Sequence, residues 1–260
     1  MHKILNFSKR NLLEILRDPI IYIFCLGFPI IMLVLFQVIN KYSGGNTVIF
    51  ALRALLPGIL TFSYTFVMLT MTLLVSKDRQ TSFLKRLYTS PMKSHHFILG
   101  YALVGFLIGI CQTIICILAG WIISFITGAS FPNFPNILLL AVSQLPILIT
   151  NVFLGLLLGT LFNDKTAPGV CSAFISLAGM LGGCWMPLEN MGPFETFCRF
   201  LPFYPSVYLG RVITQATNIL GKTYAFDSIA GLGLIPLGLF MTASIIFSFL
   251  VFQRKMHSDS

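Results

Sequence analysis

The chain has 260 residues, of which 56% are hydrophobic and only 10% charged, with a formal net charge of +9 and a mean hydropathy of +0.88. Soluble domains carry about 25% charged residues, so this composition excludes an ordinary soluble enzyme or binding module. The basic residues flank apolar segments, where the positive-inside rule and anionic lipids account for them, so the net charge does not indicate nucleic-acid binding. We expect one all-α integral membrane domain over residues 1–260, in contact with membrane lipid.

An interfacial amphipathic helix is predicted for residues 1–18. One face of the helix is apolar and holds Ile4, Leu5, Leu12, Ile15 and Leu16. The other face is polar and holds Lys9, Arg10, Glu14 and Arg17. Asp18-Pro19 ends the helix, because proline has no N–H to donate and disfavours helix in the residue before it. Such a helix serves equally well as a membrane anchor or as a contact for a partner.

Apolar windows bounded by charges or turn residues predict six membrane-spanning helices, near residues 20–39, 55–76, 97–127, 136–162, 167–187 and 228–252. The segment 97–163 runs for 67 residues without Asp, Glu, Lys, Arg or His. A hydrocarbon core of about 30 Å needs roughly 20 residues per crossing, so this segment crosses twice. Twelve Lys and Arg fall on the side of the two termini and five on the other, which predicts a multi-pass protein of the cell membrane with both termini cytoplasmic.

Three of the predicted spans carry a pair of glycines four residues apart, namely Gly105/Gly109, Gly155/Gly159 and Gly179/Gly183. Such pairs let helices approach closely in lipid, and packing within one subunit is favoured over packing between subunits. The six cysteines contain no CxxC pair and read as small apolar residues. Only sequence proximity suggests a disulfide between Cys184 and Cys198, so their redox state stays open.

The spans contain no ionisable cluster of the kind that proton transfer, ion binding or nucleophilic catalysis requires. His95 and His96 are adjacent rather than four residues apart, which disfavours a metal site. Gly221-Lys222-Thr223 resembles the end of a phosphate loop, but Ala216 stands where that motif needs glycine. We therefore predict a non-catalytic subunit that binds no metal or cofactor and has no energy source of its own.

A short amphipathic helix is predicted in the loop after the second span, over residues 78–91. Its apolar face holds Phe83, Leu84, Leu87 and Tyr88, opposite Lys85 and Arg86. Ser90-Pro91 stops the helix, and Asp78 or Thr81 is expected to cap its start. Composition alone leaves open whether this helix rests on lipid or docks on a protein.

This loop resembles the coupling segment of the ABC-2 type permeases, the membrane subunits of type V ABC exporters. The matching residues, in order, are Thr81, Leu84, Leu87, Ser90 and Pro91, followed by Phe97-Ile98-Leu99-Gly100. Lys77 and Gln80 depart from the pattern, since the family often has Glu and Gly there. The resemblance covers nearly the whole chain, and the outer segment 188–227 is similar to the family's short re-entrant helices before the last span.

The resemblance implies a permease that pairs with a second copy or a homologue and docks on two cytoplasmic ABC ATPase subunits, which bind the ATP and Mg²⁺. The coupling residues it implies are Asp78, Arg79, Thr81, Phe83, Leu84, Lys85, Arg86, Leu87, Ser90 and Pro91, with Asp164 and Lys165 in the turn 163–166. Phe83, Leu84 and Leu87 would be the buried anchors. Arg79, Lys85 and Arg86 would orient the contact through their charges.

A weakly polar stripe on the second span is the candidate lining of the transport path. Thr61, Thr65, Met68 and Thr72 share one helical face, with Phe62 and Phe66 nearby. The favoured explanation is packing, because threonine hydroxyls bond back to the preceding turn. In similar permeases, however, the second and fifth spans border the central path of the dimer.

The cargo that such a path suits is a lipophilic drug, antibiotic or similar amphiphile that is moved outward. Export of a lipid-linked glycan or a peptide is the alternative within the family. A secondary transporter belongs to a different class, and the lack of embedded carboxylates and of unwound half-helices disfavours it.

Overall fold

The computed structural model describes residues 2–19, 22–44, 47–80, 94–189 and 191–258. Within these ranges all regular structure is helical, apart from one bridge between Thr217 and Thr223. The helices are α1 His2–Leu16, α2 Phe28–Tyr42, α3 Leu52–Gln80, α4 Ser94–Thr127, α5 Phe134–Ser143, α6 Leu145–Leu161, α7 Ala167–Leu181, α8 Pro193–Arg199, α9 Phe203–Ile213 and α10 Ser228–Ser258. The expected all-α membrane architecture, with two short helices before the last span, is confirmed.

Five stretches of the described chain are long and apolar enough to cross a membrane: Cys25–Tyr42, Leu52–Gln80, His95–Thr127, Phe134–Leu161 and Ala230–Lys255. The first begins in a π-helical segment, Tyr22–Gly27, that runs into α2. The predicted fifth span, 167–187, is helical only as the 15 residues of α7. At 1.5 Å per residue α7 is about 22 Å long, shorter than the hydrocarbon core. The chain turns after it at Gly183, whose φ of +62° is in the left-handed region that favours glycine.

The predicted fourth span, 136–162, consists of two helices, α5 and α6, that meet at Gln144. Pro146 lies in the first turn of α6 and has no N–H to bond to the preceding turn of α5. Gln144 nonetheless keeps a helical conformation, and its carbonyl accepts the N–H of Leu148 at 3.1 Å. The span is therefore kinked by proline rather than interrupted by a loop.

Helix α3 forms the centre of the bundle and is buried along almost its whole length by α2, α4, α6, α7 and α9. Its approach to α6 depends on Gly155 and Gly159. A Cβ at those two positions would lie 2.6 Å from the carbonyl oxygen of Met68 and 2.8 Å from that of Thr72. Gly105 and Gly109 of α4 also contact α6, so these two pairs serve packing within the subunit. The third pair does not act as a pair, because Gly183 lies in the turn beyond the end of α7.

Helix α1 lies against α4 through a face that only partly overlaps the predicted apolar face. Phe7 packs edge-on to Tyr101 at 4.9 Å, and the Ser8 hydroxyl donates to the carbonyl oxygen of Gly100 at 2.9 Å. Of the predicted apolar face, Ile15 is buried in the bundle and Leu12 packs against its core, whereas Leu5 and Leu16 are about half exposed. Helix α1 thus has two apolar sides, one on the bundle and one facing outward, which suits a helix in the membrane interface.

The bundle has two ends, which we name after the helices found there. The α1 end holds α1, the last turn of α3, the first turn of α4 and the last turn of α6. The α9 end holds the start of α3, the turn after α7, and helices α8 and α9. Cys184 and Cys198 are both buried and free, so no disulfide joins them.

Candidate functional site

Asp78, the first residue of the predicted coupling helix, is buried near the end of α3. Its carboxylate accepts hydrogen bonds from Arg10 Nη1 at 2.8 and 3.0 Å and from the Tyr101 hydroxyl at 2.7 Å. The expectation that Asp78 caps a new helix is wrong, because α3 continues to Gln80 and Asp78 lies inside it. Its role in the structure is to join α3 to α1 and α4.

Two further ion pairs extend this cluster along α1. Arg10 Nη2 lies 2.8 Å from Glu14, and Lys77 Nζ lies 3.1 Å from the same carboxylate. Burial lowers the pKa of Arg10, but the hydrogen bond and charge of Asp78 outweigh that effect and raise it. Lys77 stands where the family often has Glu, and it forms an ion pair in which the acidic partner, Glu14, lies on α1.

Arg79 ties the end of α3 to the end of α6. Its Nη1 donates to the carbonyl oxygens of Thr160 and, at 3.3 Å, of Gly159. These carbonyls belong to the last turn of α6, where unpaired acceptors and the negative end of the helix dipole favour a cation. The charge predicted to orient a partner is thus engaged inside the chain.

The turn 163–166 follows directly from this contact. Asn163 accepts backbone hydrogen bonds from Thr166 at 3.0 Å and Ala167 at 2.8 Å, which starts α7. Asp164 is half-buried and Lys165 is exposed. Arg79 therefore joins the end of α3, where the first predicted coupling segment begins, to the end of α6, from which the turn 163–166 follows.

The rest of the predicted coupling helix lies outside the described residues. This applies to Thr81, Phe83, Leu84, Lys85, Arg86, Leu87, Ser90 and Pro91. Their role in docking stays a prediction from the sequence.

The predicted stripe on the second span is buried inside the chain. The Thr65 hydroxyl donates to the carbonyl oxygen of Phe62 at 2.6 Å, and that of Thr72 donates to Met68 at 2.8 Å and to Gly155 at 3.1 Å. These bonds support the packing explanation for the hydroxyl groups. A lining role for the stripe stays a prediction.

The aromatic neighbours of the stripe face α2 and the turn after α7. Phe62 packs edge-on to Trp185, with 4.7 Å between the ring centroids, and the ring centroids of Phe66 and Phe28 lie 5.1 Å apart. Met68 is in an apolar cluster with Cys171 of α7. This side of α3 is therefore covered by α2, α7 and the turn after α7.

A polar junction of Thr61, Gln144 and Ser206 joins α3 to the kink between α5 and α6 and to α9. Gln144 Oε1 accepts the hydroxyls of Thr61 at 2.9 Å and Ser206 at 3.1 Å, and its Nε2 donates to the Ser206 carbonyl oxygen. Sequence reasoning did not identify this junction. The available signal was a Gln two residues before Pro146 in an uncharged span, since polar side chains in lipid bond across helices.

The sequence of this helical bundle matches the model of a known protein family. The model described as ABC-2 type transporter matches residues 2–214, from α1 to the end of α9. The chain belongs to the ABC-2 type transporter family. No curated protein matches it significantly. In ABC transporters the ABC-2 membrane domain is the non-catalytic permease part, and such permeases pair with ABC ATPase subunits.

In this ABC-2 permease, α7 presents an open, weakly polar face. The exposed residues on that face are Gly169, Ser172, Ala173, Ser176, Leu177 and Met180. The hydroxyls of Ser172 and Ser176 donate to carbonyl oxygens one turn back, at 2.8 and 2.9 Å. The face carries no charge, and nothing in the described chain covers it.

A second buried charge cluster lies at the α9 end. Arg211 is only 1% exposed, and its guanidinium donates to the carbonyl oxygens of Gly183 at 2.7 Å and Ala54 at 3.2 Å. Glu189 Oε1 lies 3.9 Å from Arg211 Nη1 and accepts a hydrogen bond from the Tyr224 hydroxyl. Burial lowers the pKa of Arg211 and raises that of Glu189. Both charges therefore carry a desolvation cost, which their hydrogen bonds to other groups of the chain offset.

Proposed function

We propose that this permease is the membrane subunit of an ATP-driven exporter. Its residues 78–91 and the turn 163–166 would dock on two cytoplasmic ATPase subunits that bind ATP and Mg²⁺. The observation that supports this most lies at the end of α3, just before residues 81–93 of the same loop. Two residues there, Asp78 and Arg79, are bound to three other helices. Asp78 is held by Arg10 of α1 and Tyr101 of α4, and Arg79 by the end of α6.

This anchoring gives a physical route for coupling. A partner that displaces residues 81–93 would pull on the end of α3 and, through these bonds, on α1, α4 and α6 together. Helix-in-groove contacts supply such a push when apolar anchors insert into a moving partner. The Lys and Arg distribution supports placing the α1 end and both termini in the cytoplasm.

The open face of α7 is the part of the path that we assign to two facing permease subunits. Its small residues allow close approach of a second copy or a homologue, and its serines leave the surface weakly polar and uncharged. Such a surface suits a lipophilic drug, antibiotic or similar amphiphile better than an ion. Met68 of α3 contacts α7 from behind, so it becomes accessible to cargo when α7 moves.

The proposal is tested by purifying the permease from its native membranes and measuring the ABC ATPase that accompanies it. Leu84→Glu should reduce ATPase per permease at least about tenfold, since a buried charge costs several kcal/mol. Leu84→Met is the matched control and should retain it, and size-exclusion profiles report insertion and folding.

Two results would contradict the proposal. One is normal co-purification and export with Leu84→Glu. The other is uphill transport of an amphiphile by the purified permease alone, driven by an ion gradient in vesicles, which would make the protein a secondary transporter.

A further inference from the structure

A groove of about 500 Å³ opens between α10 and the helices α8 and α9. Its residues are Thr196, Arg199 and Phe200 at the α8 side, Tyr204 and Pro205 of α9, and Leu232, Gly233, Ile235, Pro236, Leu239 and Phe240 of α10. The α10 wall lies beyond the segment that matches the family model. The groove is also separate from the α7 face and from the coupling cluster at the α1 end.

The wall on α10 is a continuous apolar strip. Leu232, Ile235, Leu239 and Phe240 fall on one helical face, and the strip from 232 to 240 is about 12 Å long at 1.5 Å per residue. Leu232 and Leu239 are 64% and 62% exposed, so the groove opens outward rather than into the core. Gly233 forms its floor, because a Cβ there would lie 2.8 Å from Pro205.

The α8 side of the groove carries an exposed cation that is held by a buried acid. Arg199 Nη2 lies 2.7 Å from Glu195 Oε1, and the Tyr204 hydroxyl donates to the same oxygen at 3.3 Å. The Arg199 side chain is 39% exposed, whereas Glu195 is buried. The surface that a ligand meets is therefore the guanidinium and the exposed Thr196 hydroxyl, which together favour an anion.

The position of α8 indicates that this polar side lies at the membrane boundary. Phe194 and Phe197 on this seven-residue helix and Phe200 directly after it are all exposed. Aromatic side chains exposed beside an arginine are typical of a segment in the head-group region. The groove thus runs from head-group level at Arg199 into the apolar layer along α10.

We propose that this groove binds a phospholipid of the surrounding leaflet, with its phosphate on Arg199 and Thr196 and an acyl chain along the α10 strip. The charge of Arg199 complements an anionic head group, and the apolar strip of about 12 Å accommodates part of an acyl chain. This site is independent of the cargo and of the ATPase contact. Its occupant is a lipid that stays with the protein and fills the gap between α10 and α9.

Delipidated permease titrated with dioleoyl phosphatidylglycerol or dioleoyl phosphatidylcholine, read by native mass spectrometry, tests the site. Arg199→Gln should weaken binding of the anionic lipid about tenfold, the loss of one charge-assisted hydrogen bond. Lys222→Gln removes an exposed cation outside the groove and should change nothing. Leu239→Trp should weaken both lipids, about fourfold for each methylene that is no longer buried.

Three results would overturn the proposal. Equal loss of the anionic lipid in Arg199→Gln and Lys222→Gln would show a diffuse charge effect. Unchanged binding in Arg199→Gln and Leu239→Trp would show that the lipid binds elsewhere. Disulfide cross-linking between two copies that carry Leu239→Cys would show that a second permease fills the groove.

Discussion

The carboxylate of Asp78 and the guanidinium of Arg10 lie 2.8 Å apart, although 68 positions separate them in the sequence. This contact fixes the interfacial helix α1 to the central helix α3. The carboxylate is buried, with a side chain only 2% exposed, so it depends on Arg10 and Tyr101 for the hydrogen bonds that water would otherwise supply. We expect α1 and the end of α3 to move as one body.

Arg10→Gln should destabilise the permease because it removes the guanidinium that is hydrogen-bonded to the buried Asp78 carboxylate. The expected cost is about 1.5–3 kcal/mol, the range for a hydrogen bond to a charged group. Thermal unfolding of the purified protein, followed by size-exclusion chromatography, measures it. Arg17→Gln, at an exposed position near the end of the same helix, should leave the unfolding midpoint unchanged. Equal midpoints for both variants would contradict the structural role of the Asp78 contact.

Gly155→Ala should separate α3 from α6. The new methyl group would lie 2.6 Å from the carbonyl oxygen of Met68, and backbone cannot move aside as a flexible side chain can. Overpacking of this kind costs about 1–3 kcal/mol. The matched control is Gly238→Ala in α10, where a Cβ meets nothing within 4 Å. Equal unfolding temperatures for the two variants would contradict the close packing of α3 on α6 at Gly155.

The junction of Thr61, Gln144 and Ser206 allows a test of the two interpretations of the α3 stripe. If Thr61 serves packing, Thr61→Val and Gln144→Leu should both destabilise the protein, with a coupling energy of about 0.6 kcal/mol between them. A double-mutant cycle on thermal unfolding measures that coupling. Additive effects on stability, together with an altered range of exported compounds in Thr61→Val, would instead favour a lining role.

Glu189 should make stability depend on pH. Burial raises its pKa above the ordinary value of 4.5, against the opposing charge of Arg211, so the folded state holds a proton that the unfolded chain releases. Its contribution to stability is therefore fully present below about pH 4.5 and is lost as pH rises through the folded pKa. Glu189→Gln keeps the neutral form at every pH, so its stability relative to wild type should increase as pH rises from 4 to 7. A relative stability that stays constant or falls across that window would show that attraction to Arg211 offsets or outweighs burial.

Much of the membrane fold was predictable from local sequence. The 67 uncharged residues from 97 to 163 required two crossings, and Asp18-Pro19 required α1 to end where it does. The glycine pairs of α4 and α6 predicted close helix contacts, and the structure has them within the chain. These features depend on neighbouring residues only, because hydropathy, proline and glycine act on the segment that contains them.

Which polar groups are buried, and against what, could not be read from the sequence. Thr61, Gln144 and Ser206 come from three separate segments, and Asp78 needs Arg10 and Tyr101 from two other helices. The periodicity of α1 predicted its apolar face, but contact with α4 also buries Phe7 and Ser8 outside that face and leaves Leu5 and Leu16 half exposed.

The sequence by itself thus determined that the chain spans a membrane as a helical bundle without catalytic groups in its spans. The tertiary structure alone decided which helix faces are enclosed, where charges are paired, and that α7 and the groove beside α10 stay open. The physical reason is that hydrophobicity is a property of each segment, whereas a buried hydroxyl or carboxylate is stable only beside the partner that the fold brings to it.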